Sequence, residues 1–158
     1  LTPYMPPWIR HLANTVKEKN TRPHRKIIIT RENAQNRNIQ NHEQMVMALK
    51  GWETINLDTL SIKDQVQTFA EATHIVSPHG AGLTNLLWCE EGTKVFELTH
   101  EAFLGKKVYP VLSRHLGLKH TVILCDTVPI KNKKPKNKKA KDMVDLILDV
   151  PKLIQLLD

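Results

Sequence analysis

Apolar residues in this chain come alternately as stripes at helical spacing and as short unbroken runs. Trp8, Ile9, Leu12 and Val16 predict a first helix reaching about Lys19, after an extended lead-in over residues 1–7 that carries three of the nine prolines. Lys26-Ile27-Ile28-Ile29-Thr30 is a β-branched run of the kind buried on both faces of a parallel sheet, and is the first expected strand. A helix is expected from about Ile39 to Lys50, with Met45, Val46 and Leu49 inward and Gly51 ending it, followed by a strand from Trp52 to Leu57. Ser61 is placed to cap a helix that turns Ile62, Val66, Phe69 and Ala70 inward, with Asp64 complementing its dipole. Thr73 to Ser77 is the third strand, Leu83, Leu86, Leu87 and Trp88 mark a helix stopped by Glu90-Glu91-Gly92, and Lys94 to Leu98 is the fourth strand. Lys106 to Leu116 reads as a helix with Gly117 at its C′ position, and Lys119 to Cys125 as a fifth strand. Met143 to Leu148 is either a sixth strand or the approach to a last helix, which Asp149 caps and whose first turn tolerates Pro151.

This alternation predicts an α/β fold, a Rossmann-like three-layer domain with a mainly parallel sheet. At 158 residues, 41% of them hydrophobic, the chain is long enough for one core and short for two. The expected division is a lead-in and N-terminal helix over 1–25, then one domain over 26–158 with a flexible lysine-rich loop at 131–141. The start at Leu1 fits a piece of a longer protein.

In open sheets of this kind ligands bind beyond the carboxyl ends of the strands. Three polar groups fall there. Ser77-Pro78-His79-Gly80-Ala81-Gly82-Leu83-Thr84-Asn85 joins the third strand to the next helix. Its glycines allow positive φ and close approach of another group, and the helix start points free N–H groups at the same place. Arg31, Asn33, Asn36, Arg37 and Asn38 come after the first strand, where two arginines can fork onto phosphate oxygens. Glu97 stands near the end of the fourth strand. Each group also has a plainer reading, as a bare turn or a surface loop, but their convergence on one edge favours a site. Cations, dipole and His79 suit the phosphates of a nucleotide diphosphate, and Glu97 suits ribose hydroxyls. The chain has no Asp-x-Asp, so no metal is expected and a departing diphosphate would be stabilised by the protein itself.

Charge alters this picture little. The net charge of +7 equals the seven lysines between Lys131 and Lys141, a segment without aromatic residues that reads as a solvated loop rather than a nucleic-acid site. No signal peptide precedes Arg31, no apolar run approaches the roughly 20 residues of a membrane span, and no Asn-x-Ser/Thr sequon occurs. The eight histidines show no metal-binding spacing; Cys89 and Cys125 read most simply as buried thiols, although the sequence leaves a disulfide open. The first strand ends in Arg31 rather than a glycine-rich turn, which argues against an NAD or S-adenosylmethionine enzyme.

Arg31 with Arg37-Asn38-Ile39 and Asn41, then Ser61 and Gln65, then His79-Gly80-Ala81-Gly82-Leu83-Thr84-Asn85, then Val95-Phe96-Glu97-Leu98, together resemble glycosyltransferase family 61. That family includes protein O-GlcNAc and O-mannose-extending enzymes, plant xylosyl and arabinosyl transferases and bacterial polysaccharide enzymes. The resemblance covers about Lys26 to Cys125 and implies the C-terminal, donor-binding lobe of a GT-B type enzyme. Such an enzyme transfers sugar from a nucleotide-sugar, usually UDP-linked, to a hydroxyl of a glycan or protein acceptor, with inversion and without metal or other cofactor. It further implies Arg31, Arg37, His79, Gly80, Ala81, Gly82, Leu83, Thr84, Asn85 and Glu97 as nucleotide-sugar-binding residues, and His79 as a leaving-group stabiliser. The catalytic base is left unassigned, to an N-terminal lobe or the cleft between lobes. The alternative is a non-catalytic nucleotide-binding or interaction module of the same fold. The expected compartment is cytoplasmic for a bacterial protein, and the endoplasmic reticulum or Golgi lumen for a eukaryotic one.

Overall fold

A computed structural model of the chain describes residues 8–16, 21–31, 34–130 and 143–157. The lead-in over 1–7, Asn33 and the lysine segment 131–141 lie outside the described residues. Five strands, β1 (Arg25–Thr30), β2 (Glu53–Asn56), β3 (Ala72–Pro78), β4 (Lys94–Thr99) and β5 (Lys119–Leu124), form one sheet in the order β2-β1-β3-β4-β5, and every neighbouring pair is parallel. The fold is therefore the expected α/β, Rossmann-like one.

Two cores, one on each face, result from the two-residue alternation of the strands. Ile27, Ile29, Ile75 and Val95 point to one side, where they meet Phe69 of α3 (Ile62–Ala70), Leu83 and Leu86, and Leu112 and Leu116 of α4 (Val108–Leu116). Ile28, Val76, Phe96 and Leu98 point to the other, against Met45 of α2 (His42–Ala48) and Val150 and Leu153 of α5 (Val150–Leu157). Ile27, Ile28 and Ile29 are 0%, 0% and 4% exposed, which is why this run reads as unbroken apolar sequence. The remaining helix, α1 (Trp8–Val16), buries Ala13.

Several local expectations hold. The Ser61 hydroxyl accepts from the Asp64 N–H, Asp149 Oδ1 accepts from the Lys152 N–H at 3.0 Å, and both cysteines are buried free thiols. Three boundaries differ. The helix expected from Ile39 begins at His42, because the backbone of Asn38 and Gln40 bonds instead to Leu146, at 2.8 Å in each direction. Leu146 belongs to β7 (Val144–Ile147), which does not extend the main sheet but pairs antiparallel with β6 (Asp126–Pro129), a strand the sequence pattern does not announce. The segment after the glycine corner is a 3-10 helix over Ala81–Trp88, not an α-helix. Its three-residue period lines up Leu83, Leu86 and Cys89, which are 0%, 0% and 5% exposed.

Gly117 shows how tightly one such end is built. It ends α4 in the left-handed region (φ 71°), and a Cβ there would also stand 2.8 Å from Cγ of Glu91. Gly117→Ala is expected to cost about 1–2 kcal/mol for the backbone alone, read as a lower urea midpoint. Adding Glu91→Ala should recover the contact part of any further loss and leave the backbone part.

Candidate functional site

β2 lies on one side of β1 and β3 on the other, so the chain reverses its direction of travel across the sheet at β1. This reversal opens a crevice between the carboxyl ends of β1 and β3. Arg31 comes directly after β1 and the glycine corner directly after β3, so the topology brings two of the three expected groups to the switch point.

Neither glycine of the corner lies in the left-handed region; Gly80 is extended (φ 173°, ψ 177°). Close approach is what they supply. A side-chain carbon on Gly80 would overlap the Arg31 guanidinium, and one on Gly82 would stand 2.8 Å from Cδ1 of Leu57. The first internal bond of the 3-10 segment runs from the Leu83 N–H to the Gly80 carbonyl, and Ala81 and Gly82, whose N–H groups precede it, line the crevice. Here a cavity of about 190 Å³ is walled by Arg31, Asn56, Asp58, Ser77, Ala81 and Gly82 among others. A smaller one of about 70 Å³ lies on the other side of Arg31, against Asn38 and His42. Burial lowers the Arg31 pKa from its ordinary value, with Asp58 and Tyr109 opposing; a guanidinium remains a cation regardless. Its Nε is buried without a hydrogen-bond partner among the described residues.

Arg37 is held from beneath. It has φ 59°, its N–H donates to the Val144 carbonyl at 2.7 Å, and the next residue is anchored on Asp145. That 9%-exposed carboxylate accepts from the Asn38 N–H (3.0 Å), Asn38 Nδ2 (3.1 Å) and Gln40 Nε2 (2.8 Å). Asn41 bonds Leu148 in both directions, Nδ2 to its carbonyl at 2.8 Å and Oδ1 from its N–H at 3.0 Å. So fixed, the Arg37 guanidinium carbon lies 4.9 Å from the Phe103 ring centroid, and Lys106 Nζ lies 3.6 Å from the same centroid.

His79 and Glu97 are brought together at the ends of their strands. Glu97 is 2% exposed: Oε1 takes the Nδ1 side of His79, and Oε2 lies 2.8 Å from Nε2 of His120. Both of its oxygens are thus engaged by histidines. His120 Nδ1 is in turn 2.7 Å from the Ser113 hydroxyl. The His79 ring rests against Phe103 and Tyr109, with centroids 4.7 and 5.2 Å away. Burial alone would raise the Glu97 pKa, but the hydrogen bonds of His120 and His79 outweigh it and hold the carboxyl below its ordinary value.

The rest of the motif divides by job. Leu83 is core, and Asn85 ties the segment down, with Nδ2 donating to Gln65 Oε1 at 3.0 Å and Oδ1 accepting from Trp88 Nε1 at 3.1 Å. Gln65 in turn bonds the Leu57 carbonyl at 3.1 Å. Ala81 and Thr84 are exposed. Sequence reasoning missed Asp58, Phe103, Lys106, Tyr109 and His120. Asp58 comes after β2 and obeys the same strand-end rule that selected Arg31; His120 lies inside β5, where only pairing geometry reveals it.

Fold and crevice define a Rossmann-like α/β domain whose switch point is lined by Arg31, Asp58 and the glycine corner, with the Glu97-supported His79 directly before Gly80. The family model for glycosyltransferase 61 matches residues 2–96, and the chain belongs to that family. No curated protein matches it. Among the described residues no helix is long and apolar enough to cross a membrane.

Because folding favours ionised Glu97, the stability it contributes is present above the ordinary value of 4.5 and is lost as pH falls through its lowered folded value. Wild-type urea midpoints should therefore drop more steeply below pH 4.5 than those of Glu97→Gln, a substitution that costs about 3–5 kcal/mol near neutrality. Parallel pH slopes would show that this carboxylate does not set the acid stability.

Proposed function

We propose that the crevice between β1 and β3 holds the diphosphate of a nucleotide-sugar, in the first instance a UDP-sugar, and that the chain is the donor-binding lobe of an inverting, metal-independent glycosyltransferase. The observation that carries this reading is the packing of Arg31 against Gly80: a cation whose buried Nε has no hydrogen-bond partner among the described residues shares a cavity with Ala81 and Gly82 at the start of the 3-10 segment. Arg37 and Lys106, both on Phe103, add further positive charge near His79.

The reaction asks little covalent chemistry of this lobe. The acceptor oxygen attacks the anomeric carbon, the bond from that carbon to the β-phosphate oxygen breaks, and negative charge builds on the departing diphosphate. Cations and N–H groups already in place stabilise that charge without reorganising. The acceptor proton passes to a base on the opposite face of the sugar, which this reading places on an N-terminal lobe. No resident cofactor is required, since the nucleotide-sugar is substrate. Glu101 and Asp126 wall a larger neighbouring cavity of about 660 Å³ beside His100. Their carboxylates, like that of Asp58 in the crevice itself, are accessible to the donor's hydroxyls, as buried Glu97 is not.

Calorimetry with UDP in the presence of EDTA tests the reading against GDP, NAD and S-adenosylmethionine. Saturable UDP binding is expected without magnesium, weakened at least about tenfold by Arg31→Ala or Arg37→Ala, since a charge-assisted hydrogen bond is worth about 1.5–3 kcal/mol. Gly82→Val, which drives a side chain into Leu57, should abolish it. A requirement for magnesium, a preference for NAD or S-adenosylmethionine, or no nucleotide binding at all overturns the reading.

A further inference from the structure

The hydrogen bonds behind His79 fix where its proton lies, and donor and acceptor chemistry then dictates the consequence for the ligand. Ionised Glu97 accepts only, so both histidines must donate to it: His79 from Nδ1 and His120 from Nε2. His120 Nδ1 then accepts from the Ser113 hydroxyl, and every proton in the chain Ser113, His120, Glu97, His79 has one direction. A neutral His79 in this arrangement carries a lone pair at Nε2. Phosphate oxygens are acceptors as well, so a neutral ring would set lone pair against lone pair.

We infer that binding of the diphosphate takes up one proton from solvent onto His79 Nε2, giving an imidazolium held between the Glu97 carboxylate and a phosphate oxygen. This rests on the diphosphate reading above. One N–H bond forms at Nε2, Nδ1–H stays on Glu97, and nothing else in the chain changes protonation.

The groups facing the ring come from several elements. From β4, Glu97 supplies the counter-charge, with His120 of β5 behind it. Tyr109 of α4 and Phe103 cover its sides; Phe103 carries Lys106 and Arg37 and contacts His100 at 4.9 Å, while Arg31 abuts the following residue, Gly80. Bound phosphate neutralises the neighbouring cations and leaves Glu97 facing the imidazolium. Bound ligand and proton therefore favour one another. In this arrangement Glu97 and His120 are positioning residues. They select the tautomer and balance the charge but do not touch the ligand.

The test uses this chain with UDP as probe, between pH 7.5 and 9, where the terminal phosphate of UDP is already ionised (second pKa of a phosphoryl group about 6). Imidazole ¹⁵N spectra of the wild type at pH 7.5 should show His79 with a lone pair at Nε2 when free and both nitrogens protonated when UDP saturates. UDP affinity should fall by up to about tenfold per pH unit over this range, the limit for uptake of one proton, and should be nearly flat in His79→Gln. In Glu97→Gln, where the counter-charge is gone, the fall should begin at lower pH. A ring that keeps its Nε2 lone pair with UDP bound, together with pH-independent affinity, overturns the inference, leaves the donor site standing and returns Nε2 to the role of proton acceptor. Absence of UDP binding overturns both.

Discussion

One buried carboxylate ties the active edge of the sheet together. Taking a charge out of water costs several kcal/mol unless it is paired, and Glu97, at 2% exposure, is paired on both oxygens by residues of the two flanking strands. Register makes this possible. Glu97 stands opposite Ser77 on β3 and Val122 on β5. His79 and His120, each two residues away from those partners, share their face of the sheet. That is the face of Val95 and α4, so Ser113 comes within reach of His120. A slip of one residue in either pairing would turn a histidine to the opposite core and strand the charge. The ion cluster thus selects the register that seats His79 at the end of β3, directly before Gly80.

Glycine enters the site through space rather than backbone freedom. Gly80 lies in an extended conformation open to any residue, and what bars a side chain is the Arg31 guanidinium beside it. The contact explains the absence of the dinucleotide-type glycine turn after β1. There the end of the first strand supplies an arginine, and the glycine that makes room for it, Gly80, follows β3 across the switch point. Dipole, cation and backbone N–H groups then converge on one volume, although they leave the chain about fifty residues apart.

The sequence was legible wherever a local rule sets the structure. Runs such as Ile27 to Ile29 mark strands buried on both faces, Ser61 and Gly117 mark helix ends, and strand-end position anticipated that Arg31 and the glycine corner lie together at the switch point. It was misleading where tertiary pairing decides. Asp145 looks like a lone polar residue in an apolar stretch, but it anchors Asn38 and Gln40 from more than a hundred positions away. That anchorage displaces the start of α2. Leu83, Leu86 and Leu87 fit a helical stripe equally well at a period of 3.6 or 3, and burial of Cys89 on the same line selects the 3-10 form. Glu97 shows a third limit: strand-end position does not reveal whether a carboxylate lies open or, as here, is buried between two histidines.

The division between the matched segment and the remainder has a structural meaning. Arg31, Arg37 and the whole glycine corner fall within residues 2–96, and Glu97 is the next residue. Two groups of the site nevertheless depend on the C-terminal remainder of the chain. Arg37 is held through Val144 and Asp145 of β7, and His79 through Glu97 and His120 of β4 and β5. Phe103, against which both rest, lies after β4. The groups that would meet a diphosphate are thus contributed by one part of the chain and oriented by another. Pre-organisation for a developing charge needs both, because a cation free to relax gains no more from the transition state than water would.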